Sequence, residues 1–171
     1  KYLRPEQGFF VHVSTQGGTG TASVTNATRS HQTGSYNKSS SFADMLVLTC
    51  SGNGIDDIAH VVFNAGATVN FDKAYDAYKL MGATQAPNLY SVLPDGNIAA
   101  VNWLPWTGVN QVVPLGFTCG IPGVYEIDAS NMESFNPTTE IFIEDLRANV
   151  TQNLRTAPVF NFNYAVGEDP N

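Results

Sequence analysis

Met45-Leu-Val-Leu-Thr-Cys50-Ser-Gly-Asn-Gly54-Ile-Asp-Asp-Ile-Ala-His60-Val-Val-Phe63 is the stretch on which the fold turns. Residues 44–50 and 55–63 are rich in aliphatic and β-branched side chains, the composition of strands. Between them stands an Asn-Gly pair, which tolerates the left-handed backbone that a tight hairpin turn requires. A β-hairpin is predicted over these residues.

The pattern repeats outward in both directions. Toward the start, residues 7–13 and 21–25 read as strands separated by Gly17-Gly-Thr-Gly20. The polar stretch 26–41 that follows is long for a loop in a compact domain, with Arg29, His31, Tyr36 and Phe42 as its large residues. Toward the end, residues 88–93 and 98–103 flank Pro94-Asp-Gly-Asn97, which has the residues of a tight turn. Residues 111–119 and 124–128 are expected to pair across Gly120-Ile-Pro-Gly123. Residues 139–146 carry apolar side chains on both faces, 149–154 form a short turn or strand, and 158–166 align Phe160, Phe162 and Tyr164 on one face. About eleven strands, with turn signals every ~8–12 residues, predict an all-β fold: a two-layer antiparallel β-sandwich, jelly-roll-like, in one domain over 1–171. Phe9, Val11, Leu46, Leu48, Val61, Phe63, Leu115, Phe117, Ile141, Ile143, Phe160 and Phe162 are the expected core.

One segment breaks the rule. In Asn70-Phe-Asp-Lys-Ala-Tyr75-Asp-Ala-Tyr-Lys-Leu80, Phe71, Tyr75 and Tyr78 recur at helical spacing. A short helix is predicted near 70–80, capped by Asn70, with its aromatic face closing the end of the β core and Asp72 and Asp76 facing outward.

The chain has 171 residues, 43% of them hydrophobic and only 13% charged, so it has enough apolar surface to build a core. A net charge of −7 with eight Lys and Arg argues against nucleic acid and against anionic membranes. No apolar run approaches the ~20 residues of a membrane span, so membrane insertion is not expected. Starting at Lys1 rather than Met, the chain reads as a processed form or an excised piece. Cys50 and Cys119 both lie at strand ends. They are either one disulfide closing a long loop, for which the chain-entropy estimate is about 4 kcal/mol, or two separate buried thiols.

Several stretches together carry a family resemblance: Gln7-Gly-Phe-Phe-Val11, Arg29 with His31, Phe71-Asp72 with Tyr75-Asp-Ala77 and Lys79-Leu80, Ala86-Pro-Asn-Leu-Tyr90, Val113-Pro-Leu-Gly-Phe117, Gly123-Val-Tyr125 and Ile143-Glu-Asp-Leu146. In this order they resemble the β-sandwich region that precedes the type IX secretion sorting domain in secreted and cell-surface proteins of the Bacteroidetes. The resemblance implies a sandwich architecture, a secreted or cell-surface location, and use of the type IX secretion machinery through the parent protein. It implies no defined activity. The two cysteines and the Trp103/Trp106 pair fall outside its pattern.

No catalytic motif is present. His12, His31 and His60 lack metal-ligand spacing, and the Gly-x-Ser-x-Gly and Gly-x-Gly-x-x-Gly patterns do not occur. An enzyme is therefore not expected. Two functions of different kinds remain: a module that binds a glycan or another surface polymer, and a structural spacer that presents the sorting domain. Exposed aromatic rings would separate the first from the second. The candidate ligand site is Asn102-Trp103-Leu-Pro-Trp106-Thr-Gly108, in which Trp106 either stacks on a sugar or folds over the sheet edge as a lid. Tyr36 or Tyr90 is a candidate second platform, with Asn102, Asn110 and Gln111 as hydrogen-bonding groups. No cofactor is required. A Ca²⁺ ion held by Asp72 and Asp76, with Asp56 or Asp57, is a further expectation, set against the plainer roles of helix capping and pairing with Lys73 or Lys79.

Overall fold

The computed structural model of the chain describes residues 11, 13, 18–28 and 42–167. The chain divides into two compact units, residues 1–40 and 41–171. In the first unit, residues 21–25, expected as a strand, are irregular and exposed, Asn26–Thr28 forms one 3₁₀ turn, and Val11, expected in the core, is exposed. Most of the strand expected over 7–13, with Phe9, lies outside the described residues, as do His12, Arg29, His31 and Tyr36.

The second unit is all β, as the alternation predicts. Among the described residues its strands are β1 (Met45–Gly52), β2 (Ile55–Phe63), β3 (Ala77–Tyr78), β4 (Asn88–Val92), β5 (Ile98–Leu104), β6 (Leu115–Thr118), β7 (Gly123–Ser130), β8 (Phe142–Asp145), β9 (Val150–Asn153) and β10 (Val159–Tyr164). Seven of them form a sheet in the order β10-β7-β1-β2-β5-β4-β6, with β3 beside β5, while β8 and β9 form a separate hairpin. The predicted hairpin is the centre of this sheet. β1 and β2 pair from Met45–Val62 to Gly52–Ile55, and Asn53 and Gly54 both take left-handed backbone (φ 55° and 73°) between them. β4 and β5 are joined across Pro94–Asn97 as predicted, with Gly96 at φ 82°.

The large sheet curls so that its ends face each other, giving the sandwich-like layering. Phe117, on β6 at one end, lies 4.9–5.0 Å from the rings of Tyr125 on β7 and of Phe162 and Tyr164 on β10 at the other. Leu48, Cys50, Ala59, Leu89, Phe117, Ile127, Ile143, Leu154 and Phe160 fill the space between. The burial of these apolar side chains is the principal stabilising term.

Three pairings depart from expectation. β6 pairs with β4, not with β7, and β7 lies between β1 and β10. β2 and β5 run parallel, in an otherwise antiparallel sheet. The third departure is the 70–80 segment, which is not a helix. Asp72 carbonyl accepts the N–H groups of Tyr75 (3.0 Å) and Asp76 (2.7 Å) in one turn, and then Ala77 and Tyr78 pair with Val101 and Ala99 of β5. Two carboxylates compete with helix formation by bonding backbone. Asp72 Oδ1 accepts the Ala74 N–H at 2.8 Å, while Asp76 accepts the N–H groups of Asp72 and Trp103, each at 2.7 Å. Asp76 thus ties this turn to β5 rather than facing outward. The aromatic spacing finds a different use: Phe71 stacks on Tyr78 at 3.7 Å and Tyr75 packs against Trp103 at 5.5 Å.

The β3–β5 pairing skips Ala100, the mark of a bulge. Burial along β5 changes phase there, from Ala99 before the bulge to Asn102 and Leu104 after it.

Cys50 and Cys119 are free thiols, both buried, so the expected disulfide is not formed. Both belong to the same core, Cys50 on β1 and Cys119 just past β6, where the Cys119 thiol accepts from the Tyr125 hydroxyl at 3.1 Å and donates to Gln85 carbonyl at 3.4 Å.

Candidate functional site

The parallel alignment of β2 with β5 brings the C-terminal ends of both strands to one end of the sheet. Phe63 stands in register with Leu104, and the Asn64 N–H donates to Leu104 carbonyl at 2.8 Å, extending the ladder by one rung. Pro105 then ends the strand because it has no N–H to contribute. Trp106, the next residue, falls onto Phe63 with ring centroids 5.3 Å apart and planes at 86°. Phe63 in turn meets the buried Phe135 at 6.0 Å. A ladder of three rings therefore rises from the core to the surface and ends in an indole that is 50% exposed.

The loop that carries the indole is held by its own residues. Gln111 Nε2 donates to Pro105 carbonyl at 3.0 Å, its Oε1 accepts the Thr107 N–H at 3.4 Å, and Gly108 turns the chain with φ 73°. Gln111, expected as a ligand-binding group, is a clasp for the loop instead. Asn110 is exposed beside it, and Val109 and Val112 on the same loop are exposed as well. Trp106, Val109 and Val112 are thus three exposed apolar side chains carried by one loop.

The other candidates fall elsewhere. Trp103 is half-buried between Phe42 (5.0 Å) and Tyr75. Asn102 is buried on β5 and its Oδ1 has no hydrogen-bond partner. Tyr90 is buried on β4 with its ring across Gly116, where an added Cβ would overlap it, so it is a core ring and not a second platform. Tyr36 lies outside the described residues.

Of the aspartates expected at a calcium site, Asp72 and Asp76 with Asp56 or Asp57, three are already bonded within the fold. Asp76 is bonded to two backbone N–H groups and Asp72 to one. Asp57 pairs with Lys79 and accepts the Leu89 N–H at 2.6 Å, while Asp56 is exposed. Among the described residues no three His, Cys, Asp or Glu side chains come together as a metal site would require. Burial pushes the Cys50 thiol up to about 12, so it is not a thiolate at neutral pH, and burial also holds His60 below its usual pKa, which favours the neutral imidazole.

Sequence reasoning missed the valines and the supporting rings. Residues 111–114 read as the start of a strand, whereas β6 begins only at Leu115. Pro114 was the available signal, since proline has no N–H to give a ladder and is tolerated at the start of an edge strand.

A family model describes the same chain throughout: a domain of unknown function, DUF8693, matches residues 1–171. The chain belongs to that family. No curated protein and no solved structure matches it. The Trp106 loop and its aromatic ladder are therefore features of a DUF8693 domain.

Proposed function

We propose that the domain is a non-catalytic recognition module of a secreted or surface-attached protein, and that it binds a glycan or similar surface polymer through the Trp106 loop. The observation that carries this reading is the half-exposed Trp106 ring standing on Phe63. A pyranose presents a face of C–H groups that stacks on an indole, and an indole held from beneath loses little conformational freedom on binding. Gln111 strengthens the argument by ordering the loop in advance. Asn110 and Thr107 supply exposed polar groups on the same loop. The resemblance to the sandwich region preceding type IX sorting domains supports the extracellular location. Calcium has no part in this reading, because Asp57, Asp72 and Asp76 are already bonded within the fold.

The test is a polysaccharide pull-down and glycan array with the full chain and with Trp106→Ala. Binding by the parent chain, reduced at least tenfold in the variant while its unfolding midpoint is kept, is the expected result. Binding that survives the substitution removes Trp106 from the site. No binding to any polymer overturns this reading and leaves the structural spacer ahead.

A further inference from the structure

The last strand of the sheet has an edge that does not protect itself. β10, Val159-Phe-Asn-Phe-Asn-Tyr164, ends the strand order, and among the described residues no strand pairs with its outer side, where Gln152 of β9 reaches only its first residue and Ala157 before it. Natural edge strands are guarded by charge, proline, glycine kinks or bulges. This one has none of them, although the chain as a whole carries a net charge of −7. Four of its six residues, Val159, Phe160, Phe162 and Tyr164, have high β propensity, and with no charge, Pro or Gly among the six the segment can pair with another strand.

The hydrogen-bonding groups of that edge can be assigned. The Ala129 N–H donates to Pro158 carbonyl at 2.9 Å, so in the alternating antiparallel pattern Phe160, Phe162 and Tyr164 direct their backbone groups toward β7. Val159, Asn161 and Asn163 direct theirs away from it. Val159 carbonyl is met from that side by Gln152 Nε2 at 2.8 Å, which leaves the N–H and C=O groups of Asn161 and Asn163 as the open pair.

We infer that the outer edge of β10 joins two copies of this chain, strand against strand, about a two-fold axis at Phe162. In that register Asn161 of one copy faces Asn163 of the other, and the two residues exchange four backbone hydrogen bonds across the axis. These are the open groups, and the partly covered Val159 is not needed. The side chains match as well. Phe162 falls beside Phe162 of the second copy and Phe160 beside its Tyr164, on the face where Phe162 and Tyr164 are left only partly buried within one copy. Asparagines meet on the opposite face. The same patch serves both partners, as a two-fold interface requires. The occupant is a second copy because one six-residue strand satisfies both sides of the contact in hydrogen bonding and in side-chain type.

Sedimentation velocity of the full chain over a wide concentration range tests this. A reversible monomer–dimer equilibrium is expected for the parent chain. Asn163→Pro removes one of the bridging N–H groups, and the double variant Asn161→Lys with Asn163→Lys places like charges side by side across the axis. Each is expected to raise the dimer dissociation constant at least tenfold. The lysine variant changes only exposed side chains, so it decides the question even if the proline variant fails to fold. A parent chain that stays monomeric up to its solubility limit overturns the inference, and so does a dimer that persists in the lysine variant with unchanged affinity.

Discussion

Lys79, just past the end of β3, forms an ion pair with Asp57 on β2, and Asp57 also accepts the N–H of Leu89 on β4 at 2.6 Å. The lysine is the more deeply placed partner, with 4% of its side chain exposed against 22% for the aspartate. Lys79 backbone is anchored too, its N–H donating to Ile98 carbonyl at 3.0 Å. The pair thus joins the β3 end of the chain to β2 and β4 at once.

Breaking this pair from one side is expected to destabilise the fold. Lys79→Met leaves a partly buried carboxylate with only the Leu89 N–H, at a cost of about 3 kcal/mol by analogy with other buried pairs. Adding Asp57→Asn removes the stranded charge while keeping an acceptor for Leu89. The double variant should therefore be more stable than Lys79→Met alone. Urea denaturation of the three proteins checks the order, and a double variant less stable than the single one contradicts it.

Alkaline pH should weaken the fold through two buried acids. Burial, helped by the neighbouring Asp57 charge, pushes the Cys50 thiol from 9.0 to about 12. Burial and the hydrogen bond to Cys119 push the Tyr125 hydroxyl from 10.0 to about 12. Both folded-state values lie above the unfolded ones, so the folded chain keeps protons that the unfolded chain has lost. Stability is therefore complete below about pH 9 and declines as pH rises toward about 12. The denaturation midpoint measured across this range should fall. Tyrosine absorbance should show Tyr125 ionising only with unfolding, and its titration near pH 10 in the folded protein would refute the argument.

Asp76 is expected to matter more than its neighbour Asp72. Its carboxylate holds the N–H groups of Trp103 and Asp72, two charge-assisted bonds with chain separations of 27 and 4 residues. Asp76→Ala should cost about 3 kcal/mol, since bonds to a charged group contribute ~1.5–3 kcal/mol each and are only partly replaced by water. Asp72→Ala removes one local bond to Ala74 and should cost about 1 kcal/mol. In a Trp106→Phe background, the emission of Trp103 should shift to the red with Asp76→Ala and stay in place with Asp72→Ala.

What could be read from residues alone was whatever depends on near neighbours in the chain. The Asn53-Gly54 turn, the Pro94–Asn97 turn and the alternation of Phe160, Phe162 and Tyr164 each follow from backbone preferences and a period of two, and all three stand in the structure. The 70–80 segment shows where such reasoning ends. Its aromatic spacing suits a helix, but an isolated turn of helix is marginal in water. The open side of β5 and the Trp103 N–H supply stronger partners from residues distant in sequence.

The tertiary structure alone decided which strands pair, and with that the candidate site. Nothing local in residues 111–128 tells β6 to pair with β4 and β7 with β1. Nothing local brings Phe63 under Trp106, because that contact depends on a parallel alignment between strands separated by more than thirty residues. Local preferences therefore determined that this chain forms strands and where they turn. Long-range burial, in which every strand competes for the same shared core, decided the partners, left both thiols unpaired, and set one tryptophan at the surface.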